Sequence, residues 1–290
     1  MATISTTTLA ANGFTFDCRT AGDPNATQKV LLLHGWPETN FMWEGLMLLL
    51  ADNGFYCVAP NQRGFSSGAR PKGKENYELK LLAEDAVAIA KAAGFDRFHL
   101  VSHDWGSVIG WSVLELNREL IISYSSLSVP HMKAFVHALI NDPNQRQMSL
   151  YVRLFQIPLL PELLFLAFNA WFLRRRWSHH TEAHVEAYLE VLGKRKALNA
   201  TLNYYRANYN PFVRGETPIE FGDVSIPTLM RWGKDDGSVS RESVEMGAQF
   251  MTGDYDYKEL DASHWLMVDD FEGISADILG HLQKYSAVED

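Results

Sequence analysis

The sequence contains little cysteine, no excess of basic residues and no cluster of metal-binding side chains. Its 290 residues include two cysteines, Cys18 and Cys57, which are too few for a disulfide framework and are expected to be buried free thiols. Lys and Arg number 26 and Asp and Glu number 35, so the net charge is −9. This charge argues against nucleic acid or an anionic membrane as the main partner. Without a metal-ligand cluster or a phosphate-binding loop, we predict no metal and no cofactor.

A long unbroken apolar run is also missing. The most apolar stretch, residues 154–173, is interrupted by four residues: Pro158, Pro161, Glu162 and Asn169. A membrane-spanning helix needs roughly 18 or more unbroken apolar residues, so no span is predicted. We expect instead a buried helix over a hydrophobic pocket, with Arg174-Arg175-Arg176 in solvent at its end, in preference to an interfacial helix.

The composition is that of an ordinary globular protein, with 47% hydrophobic and 21% charged residues. A chain of this length can form one large core with an inserted subdomain. Residues 1–11 lack the basic and apolar regions of a signal peptide, so a cytoplasmic location is expected. The oligomeric state is left open, a homodimer included.

Short apolar runs alternate with helical patterns along most of the chain. Strands are predicted over residues 14–19, 30–33, 55–59, 98–103, 121–128, 228–232 and 255–260. Helices are predicted over residues 41–51, 79–93, 107–116, 240–250 and 271–285. The alternation predicts an α/β fold, a mostly parallel sheet flanked by helices, with residues 14–19 as an edge strand. Helical patterns alone fill residues 131–217, which predicts a helical cap inserted into a core of residues 1–130 and 218–290.

The strongest functional signal is a tight turn between a strand and a helix. The stretch Leu100-Val101-Ser102-His103-Asp104-Trp105-Gly106 places Asp104 between two small residues, as in the nucleophile elbow of α/β hydrolases, where Ser is usual. A carboxylate is ionised at neutral pH and needs no base to act as a nucleophile. Its attack on a saturated carbon leaves an ester that water can hydrolyse, which favours epoxides and alkyl halides as substrates. An aspartate that merely caps the following helix is the alternative.

The motifs resemble those of the epoxide hydrolases of the α/β-hydrolase fold, over nearly the whole chain. The resemblance is carried by His34-Gly35-Trp36-Pro37, Arg63-Gly64, the elbow, Asp236, His264-Trp265, Asn203-Tyr204-Tyr205-Arg206 and residues 151–156. One departure is Ser102, where the family usually has Gly; Ser is still small, so no functional cost is expected. The resemblance also implies a cis peptide bond before Pro37.

The resemblance, together with the position of each residue after a predicted strand, implies roles for ten residues. Asp104 is the nucleophile, and His264 is the base that activates water. Asp236 orients His264 in preference to Asp235, because Gly233, Asp236 and Val239 have the spacing usual for that acid. The other implied roles are epoxide polarisation by Tyr151 and Tyr205, an oxyanion hole from the backbone N–H groups of Trp36 and Trp105, and support from His34, His103 and Glu38.

The predicted reaction adds water to a small hydrophobic epoxide and gives a vicinal diol through an ester on Asp104. Two alternatives stay open. A haloalkane dehalogenase would use a donor such as Trp105 to hold halide, but that family typically has Asn where Trp36 stands and does not need the two tyrosines. A catalytically silent binding protein would have no need for Asp104, His264 and an acid together.

Overall fold

A computed structural model describes residues 1–286 of the chain. Eight strands form one sheet in the order β1-β2-β4-β3-β5-β6-β7-β8. The strands are β1 (Ser5–Ala11), β2 (Phe14–Ala21), β3 (Gln28–Leu33), β4 (Phe55–Pro60), β5 (Phe98–His103), β6 (Ile121–Leu127), β7 (Thr228–Gly233) and β8 (Tyr255–Leu260). Pairing is antiparallel from β1 to β2 and from β2 to β4, and parallel across the rest of the sheet. The predicted α/β fold with a mostly parallel sheet is confirmed.

Twelve α-helices lie in the part of the chain that the structure describes. They are α1 (Glu44–Asp52), α2 (Leu79–Ala92), α3 (Trp105–Leu116), α4 (Met132–Asn141), α5 (Pro143–Met148), α6 (Tyr151–Phe155), α7 (Leu160–Arg176), α8 (Glu182–Leu192), α9 (Arg195–Val213), α10 (Arg241–Gly247), α11 (Leu266–Asp269) and α12 (Phe271–Tyr285). Helix α2 packs against α3, and α1 against α12. Helices α4 to α9 all lie between β6 and β7 and are called the helical insertion below.

The edge of the sheet differs from the prediction. Strand β2 pairs with β1 on one side and β4 on the other, so the predicted edge strand at residues 14–19 lies inside the sheet. The true edge is β1, with the sequence STTTLAA and mostly exposed side chains. Because β1 buries almost none of its side chains, it needs no alternation of apolar and polar residues. The pattern used to predict strands is therefore absent from its sequence.

The central strands place the loops that matter for function. Val30, Leu31, Leu100 and Val101 are fully buried, as expected for parallel strands covered on both faces. The carboxyl ends of parallel strands meet at one edge of the sheet, where ligands of α/β proteins bind. The loops after β3, β5, β7 and β8 therefore come together, although they lie far apart in the sequence.

The helical insertion is fastened to the sheet by hydrogen bonds from α9. The hydroxyl of Tyr204 donates to the backbone oxygen of Arg63 (2.8 Å), and Asn208 accepts from the backbone N–H of Leu79 (2.9 Å). Both acceptor and donor belong to segments that follow β4. These bonds hold α9 over the carboxyl edge of the sheet.

Helix α7 does not have the buried position predicted for residues 154–173. Its backbone departs from helical geometry at residues 167–170, where Phe168, Asn169 and Ala170 have φ values of 51°, 57° and 57°. Phe168 is 85% exposed, and Leu163 and Trp171 are exposed as well. The prediction was wrong because an apolar composition does not reveal whether a neighbouring element is there to cover it.

Two further predictions concern membranes and cysteines. Within residues 1–286, no single helix is long and apolar enough to cross a membrane; Pro143–Phe155 and Leu160–Arg176 pass that test only as a pair, which is bent by 90°. Cys18 and Cys57 are both free and buried, as predicted.

Candidate active site

Asp104 lies at the turn between β5 and α3. Its φ of 51° and ψ of −121° are unusual for a residue with a side chain, and mark a strained turn. Two glycines allow this turn. A Cβ atom on Gly106 would overlap the backbone of Leu33, and one on Gly35 would overlap the side chain of Asp104 itself. The Asp104 side chain makes no capping hydrogen bond to α3, so helix capping does not explain this residue.

The two carboxylate oxygens of Asp104 have different surroundings. Oδ1 accepts a hydrogen bond from the backbone N–H of Trp36 (2.7 Å), in the loop after β3. Oδ2 lies 3.4 Å from Nε2 of His264, in the loop after β8. Among the described residues, the Trp105 N–H makes no hydrogen bond to Asp104 in this state. Oδ1 is thus held by the backbone, whereas Oδ2 faces only the His264 side chain among its hydrogen-bond and ion-pair partners in the described residues.

Asp236, and not Asp235, reaches His264. Oδ2 of Asp236 lies 2.9 Å from Nδ1 of His264. Oδ1 of Asp236 accepts from the backbone N–H groups of Ser238 (2.7 Å) and Val239 (3.1 Å), which fixes the carboxylate. Asp236 is 3% exposed, whereas Asp235 lies in solvent. The structure thus brings the acid chosen by its spacing to the histidine.

His264 carries a proton on each ring nitrogen in this arrangement, because both nitrogens face carboxylates. Burial alone would lower its pKa. The carboxylates of Asp236 and Asp104 outweigh burial and raise the pKa of His264 to about 10. The resting site therefore contains an imidazolium between two carboxylates.

Asp104 remains ionised although its side chain is largely buried. Burial would raise the pKa of Asp104, but the hydrogen bond and charge of His264 outweigh it, with help from His103 and the Trp36 N–H. The net effect is a pKa below the ordinary value. The carboxylate is thus available as a nucleophile without a separate base.

His103 and Glu38 hold the loop after β8 from behind. Nδ1 of His103 lies 2.9 Å from Oε2 of Glu38, and Nε2 donates to the backbone oxygen of His264 (2.9 Å). Burial would raise the pKa of Glu38, but hydrogen bonds from His103 and His180 outweigh it and hold the pKa well below its usual range. An ionised Glu38 therefore fixes His103, which in turn fixes the backbone of His264.

Two partners of Glu38 were missed by the sequence analysis. His180 and the hydroxyl of Tyr188 contact Oε1 of Glu38 at 3.3 and 3.2 Å, and both come from the helical insertion. They stand about 150 residues from Glu38 in the chain, and nothing in the local sequence marks them. Only the folded chain brings this buried carboxylate and its partners together.

His34 shapes the loop that carries Trp36. Burial lowers the pKa of His34 to about 4, so the ring is neutral. Nδ1 donates to the backbone oxygen of Gly35 (2.9 Å), and Nε2 accepts from the backbone N–H of Gln62 (3.4 Å). The peptide bond between Trp36 and Pro37 is cis.

Tyr151 and Tyr205 line the same cavity as Asp104. The cavity is small, with a volume of about 60 Å³, and is mostly apolar. Its other lining residues are Trp105, Val108, Val129, Phe135, Leu139, Ser149, Val152, Tyr209, Phe212, Ser238 and Val239. The two tyrosine rings lie 6.2 Å apart, edge to face. Burial and nearby Asp104 raise the pKa of both phenols, so both keep their protons. Neutral phenols in an apolar cavity are hydrogen-bond donors for a developing negative charge.

Three further side chains position the site, and the sequence analysis gave them no role. Gln145 on α5 donates to the backbone oxygen of Ser238 (2.8 Å) and accepts from the N–H of Ser240 (2.8 Å), which holds the loop after Asp236. Gln156 donates to the backbone oxygen of Tyr205 (3.2 Å). Arg206 donates to the backbone oxygen of Phe155 (2.8 Å), and so links α6 to α9. These bonds fix the helices that carry the two tyrosines.

The elbow serine takes part in a buried hydrogen-bond cluster. Oγ of Ser102 lies 2.8 Å from the hydroxyl of Tyr124 and 3.0 Å from Oγ of Ser107. All three groups are buried and have partners. The departure from glycine at this position is therefore accommodated by a strand and a helix that supply polar atoms.

Comparison with known proteins identifies the family of this chain. The chain matches the α/β hydrolase fold family over residues 29–271. Epoxide hydrolase 3 of Xenopus tropicalis is 30% identical over 270 residues, which cover 89% of this chain and 72% of that protein. Epoxide hydrolase 4 of Homo sapiens is 29% identical over 252 residues, which cover 83% of this chain and 68% of that protein.

Solved structures give the same result. An epoxide hydrolase of the α/β hydrolase superfamily from metagenomes of hot environments superposes with a TM-score of 0.84 at 26% identity, covering 97% of this chain and 99% of that one. A Bacillus megaterium epoxide hydrolase in complex with an inhibitor has a TM-score of 0.85 at 24% identity, covering 96% and 100%. The family match, the 30% identity to an epoxide hydrolase and the shared fold show that the chain belongs to the epoxide hydrolases of the α/β hydrolase family.

Proposed function

We propose that the protein converts a small hydrophobic epoxide and water into a vicinal diol, through an ester on Asp104. One observation carries the proposal: two protonated phenols, Tyr151 and Tyr205, line the apolar cavity onto which an ionised Asp104 opens. Opening an epoxide produces an alkoxide that needs such donors. A halide leaving group needs no proton, so the tyrosines favour the epoxide over the haloalkane.

In the first step, Oδ2 of Asp104 attacks one carbon of the epoxide and the carbon–oxygen bond of the ring breaks. Oδ2 is the attacking atom because Oδ1 is held by the Trp36 N–H. The alkoxide that forms accepts hydrogen bonds from Tyr151 and Tyr205 and takes a proton from one of them. The product of this step is a hydroxyalkyl ester of Asp104.

The second step follows from the loss of charge on Asp104. Once esterified, Asp104 no longer stabilises the imidazolium at Nε2, so the pKa of His264 falls towards its ordinary value. The ring gives up its Nε2 proton, which restores the phenol that protonated the alkoxide. The neutral ring then takes a proton from water, which attacks the ester carbonyl carbon, while Asp236 stabilises the new imidazolium. The oxyanion develops on Oδ1, where the Trp36 N–H already points; the Trp105 N–H is the second proposed donor. When this intermediate collapses, the bond between the carbonyl carbon and Oδ2 breaks, and Oδ2 leaves with the diol and takes the proton from His264. The carboxyl group that remains carries the oxygen from water and returns its proton to His264.

The helical insertion is proposed to be the cap, with residues 131–217 as its extent and residues 1–130 and 218–290 as the core. In support, the insertion supplies Tyr151 and Tyr205, whereas the core loops supply the acid, the base and the nucleophile. All proposed catalytic residues come from one chain, so the reaction does not depend on a homodimer. The buried free thiols of Cys18 and Cys57 support a reducing compartment such as the cytoplasm.

The decisive experiment uses His264→Gln. Because Asp104 attacks without a base, the variant should react once and stop, with one styrene oxide added to the peptide that carries Asp104. Intact-protein mass spectrometry measures the adduct. His179→Gln, an exposed neighbour in the insertion, is the matched control and should turn over normally.

An inactive His264→Gln variant without an adduct would contradict the ester mechanism. A single wild-type turnover in heavy-oxygen water gives an independent answer, since the label should enter the protein and not the first diol. Parallel incubation with 1-bromobutane tests the alternative substrate class: release of bromide at the rate of diol formation would favour a dehalogenase.

A further inference from the structure

The outer face of the helical insertion exposes many large apolar side chains. Thirteen large hydrophobic side chains are exposed in the described part of the chain, and nine of them lie between residues 150 and 172. Those on α7 and the turn before it are the most prominent: Leu159, Leu160, Leu163, Phe168, Trp171 and Phe172. We call the exposed side chains of residues 150–172 the apolar strip. Monomeric proteins rarely expose so many large apolar side chains on one short segment unless that segment binds something.

The segment that carries the apolar strip has a net positive charge, although the whole chain has a net charge of −9. Residues 143–181 contain five arginines and one carboxylate, and one of these arginines, Arg174, pairs with Glu186 on α8 (3.2 Å). That carboxylate, Glu162, is buried and forms an ion pair with Arg206 (3.0 Å). Arg153 and Arg175 are exposed, and the guanidinium of Arg175 lies 5.5 Å from the centre of the Trp171 ring. The strip therefore joins apolar and aromatic side chains to free positive charges.

We propose that the apolar strip docks the enzyme on the surface of an anionic lipid bilayer. Apolar and aromatic side chains that enter the headgroup region, next to arginines that pair with lipid phosphates, are the features of an interfacial segment. A second copy of the chain fits less well, because it would bring the positively charged segments of both copies into one interface, where like charges repel. Nucleic acid fits less well too. Its charged backbone would pair with the arginines but would give the exposed aliphatic side chains no apolar partner.

The position of the strip links it to the active site. Helix α6 presents Tyr151 and Val152 to the cavity, whereas Arg153 and Leu154 on the same helix are exposed. The docking face is thus the outer side of a wall of the cavity. Docking there would bring the cavity wall close to a phase in which hydrophobic epoxides dissolve. The inference concerns this surface and stands apart from the reaction proposed above.

The test is sedimentation with vesicles of phosphatidylcholine alone and of phosphatidylcholine with phosphatidylglycerol. The wild-type protein should bind the anionic vesicles and not the neutral ones. Phe168→Ser/Trp171→Ser should weaken binding at least about tenfold through lost apolar insertion. Arg153→Glu/Arg175→Glu should also weaken it at least about tenfold, since each basic residue contributes roughly a fivefold effect.

Matched controls lie elsewhere on the surface. Phe271→Ser removes an aromatic side chain that is 40% exposed on α12, and Lys80→Glu reverses an exposed charge on α2; both should bind like wild type. Styrene oxide turnover without vesicles should be unchanged in all four variants, which separates this proposal from the catalytic one.

Three results would overturn the docking proposal. They are no binding to anionic vesicles, equal binding to neutral ones, and binding that the strip variants retain. Sedimentation velocity gives a further check: a dimer that Phe168→Ser/Trp171→Ser dissociates would assign the strip to a second copy of the chain instead.

Discussion

The position of His264 between two carboxylates explains why its pKa is raised. Asp236 touches Nδ1 at 2.9 Å and Asp104 approaches Nε2 at 3.4 Å, and both charges raise the pKa of His264. Only Asp104 changes charge during the proposed reaction. At the scale of single residues, the proposed reaction therefore depends on Asp104 losing its negative charge when it becomes an ester, while Asp236 keeps its charge.

Replacing Asp236 should cost far more activity than replacing Asp235. Asp236→Asn removes the charge that orients His264 and stabilises its imidazolium, and should lower kcat by about 10³- to 10⁴-fold. Asp235→Asn changes a solvent-exposed carboxylate next to it and should stay within about twofold of wild type. Steady-state diol formation measures both. The reverse order would show that the wrong acid has been chosen.

The two tyrosines should be partly redundant. Tyr151→Phe and Tyr205→Phe each remove one donor to the alkoxide and should slow the alkylation step only about tenfold, because the remaining phenol covers for the lost one. The double variant should lose more than the roughly 10²-fold product of the two single effects. Tyr204→Phe is the control, because its buried hydroxyl donates to the backbone oxygen of Arg63. It should lower Tm and leave the alkylation rate near wild type. Rapid quench of single turnovers gives the rates; full activity in the double variant would return both phenols to a packing role.

At the scale of elements, the contact between the loop after β3 and the helical insertion is a buried ionic cluster. Glu38 belongs to the loop, and it accepts from His103 of the sheet and from His180 and Tyr188 of the insertion. A buried carboxylate is costly unless its oxygens have partners. The cluster therefore ties the stability of the insertion to the loops that carry the active site.

His180→Ala should weaken this contact. It leaves one oxygen of Glu38 with Tyr188 alone, and should lower the free energy of unfolding by about 1–3 kcal/mol. His179→Ala changes the adjacent residue, whose side chain is 69% exposed, and should cost less than about 0.5 kcal/mol. Urea unfolding followed by fluorescence measures both. Equal losses in the two variants would mean that the Glu38 cluster does not stabilise the insertion.

At the scale of the whole molecule, the same ion pairs make stability depend on pH. The folded pKa of His264 is about 10, above its unfolded value of roughly 6.5. Its contribution is thus fully present below about pH 6.5 and is lost as the pH rises through the folded pKa. The pKa of Asp104 is lowered, so its contribution is present above about pH 4 and is lost as the pH falls. Together the two groups stabilise the protein most between these limits.

The free energy of unfolding should therefore fall more steeply with pH in the wild-type protein than in His264→Gln. Between about pH 7.5 and pH 9 the native state holds one proton that the unfolded state releases, which gives an extra slope of about 1.4 kcal/mol per pH unit. Urea titrations at several pH values measure the two slopes. His179→Gln serves as control and should follow the wild type. Parallel profiles for wild type and His264→Gln would contradict the raised pKa.

The sequence by itself determined the alternation of strands and helices and most of the candidate site. Strands that are covered on both faces need continuous apolar runs, so residues 98–103 could be placed to the residue. Residues 255–260 were also placed to the residue, although they form the edge strand β8 and are largely exposed. Asp104, Asp236 and His264 each follow a predicted strand, and the carboxyl ends of parallel strands converge. Local pattern, simple topology and the family resemblance were therefore together enough to predict that these three side chains meet.

Only the tertiary structure decided what depends on distant neighbours. It placed β1 at the edge of the sheet, where exposed threonines need no apolar pattern, and it left Phe168 and Trp171 uncovered on α7. It also brought His180 to Glu38, and Gln145 to the loop after Asp236. Hydrogen bonds and burial between elements far apart in the chain leave no periodic trace in the sequence, because each depends on where a second, unrelated segment lies.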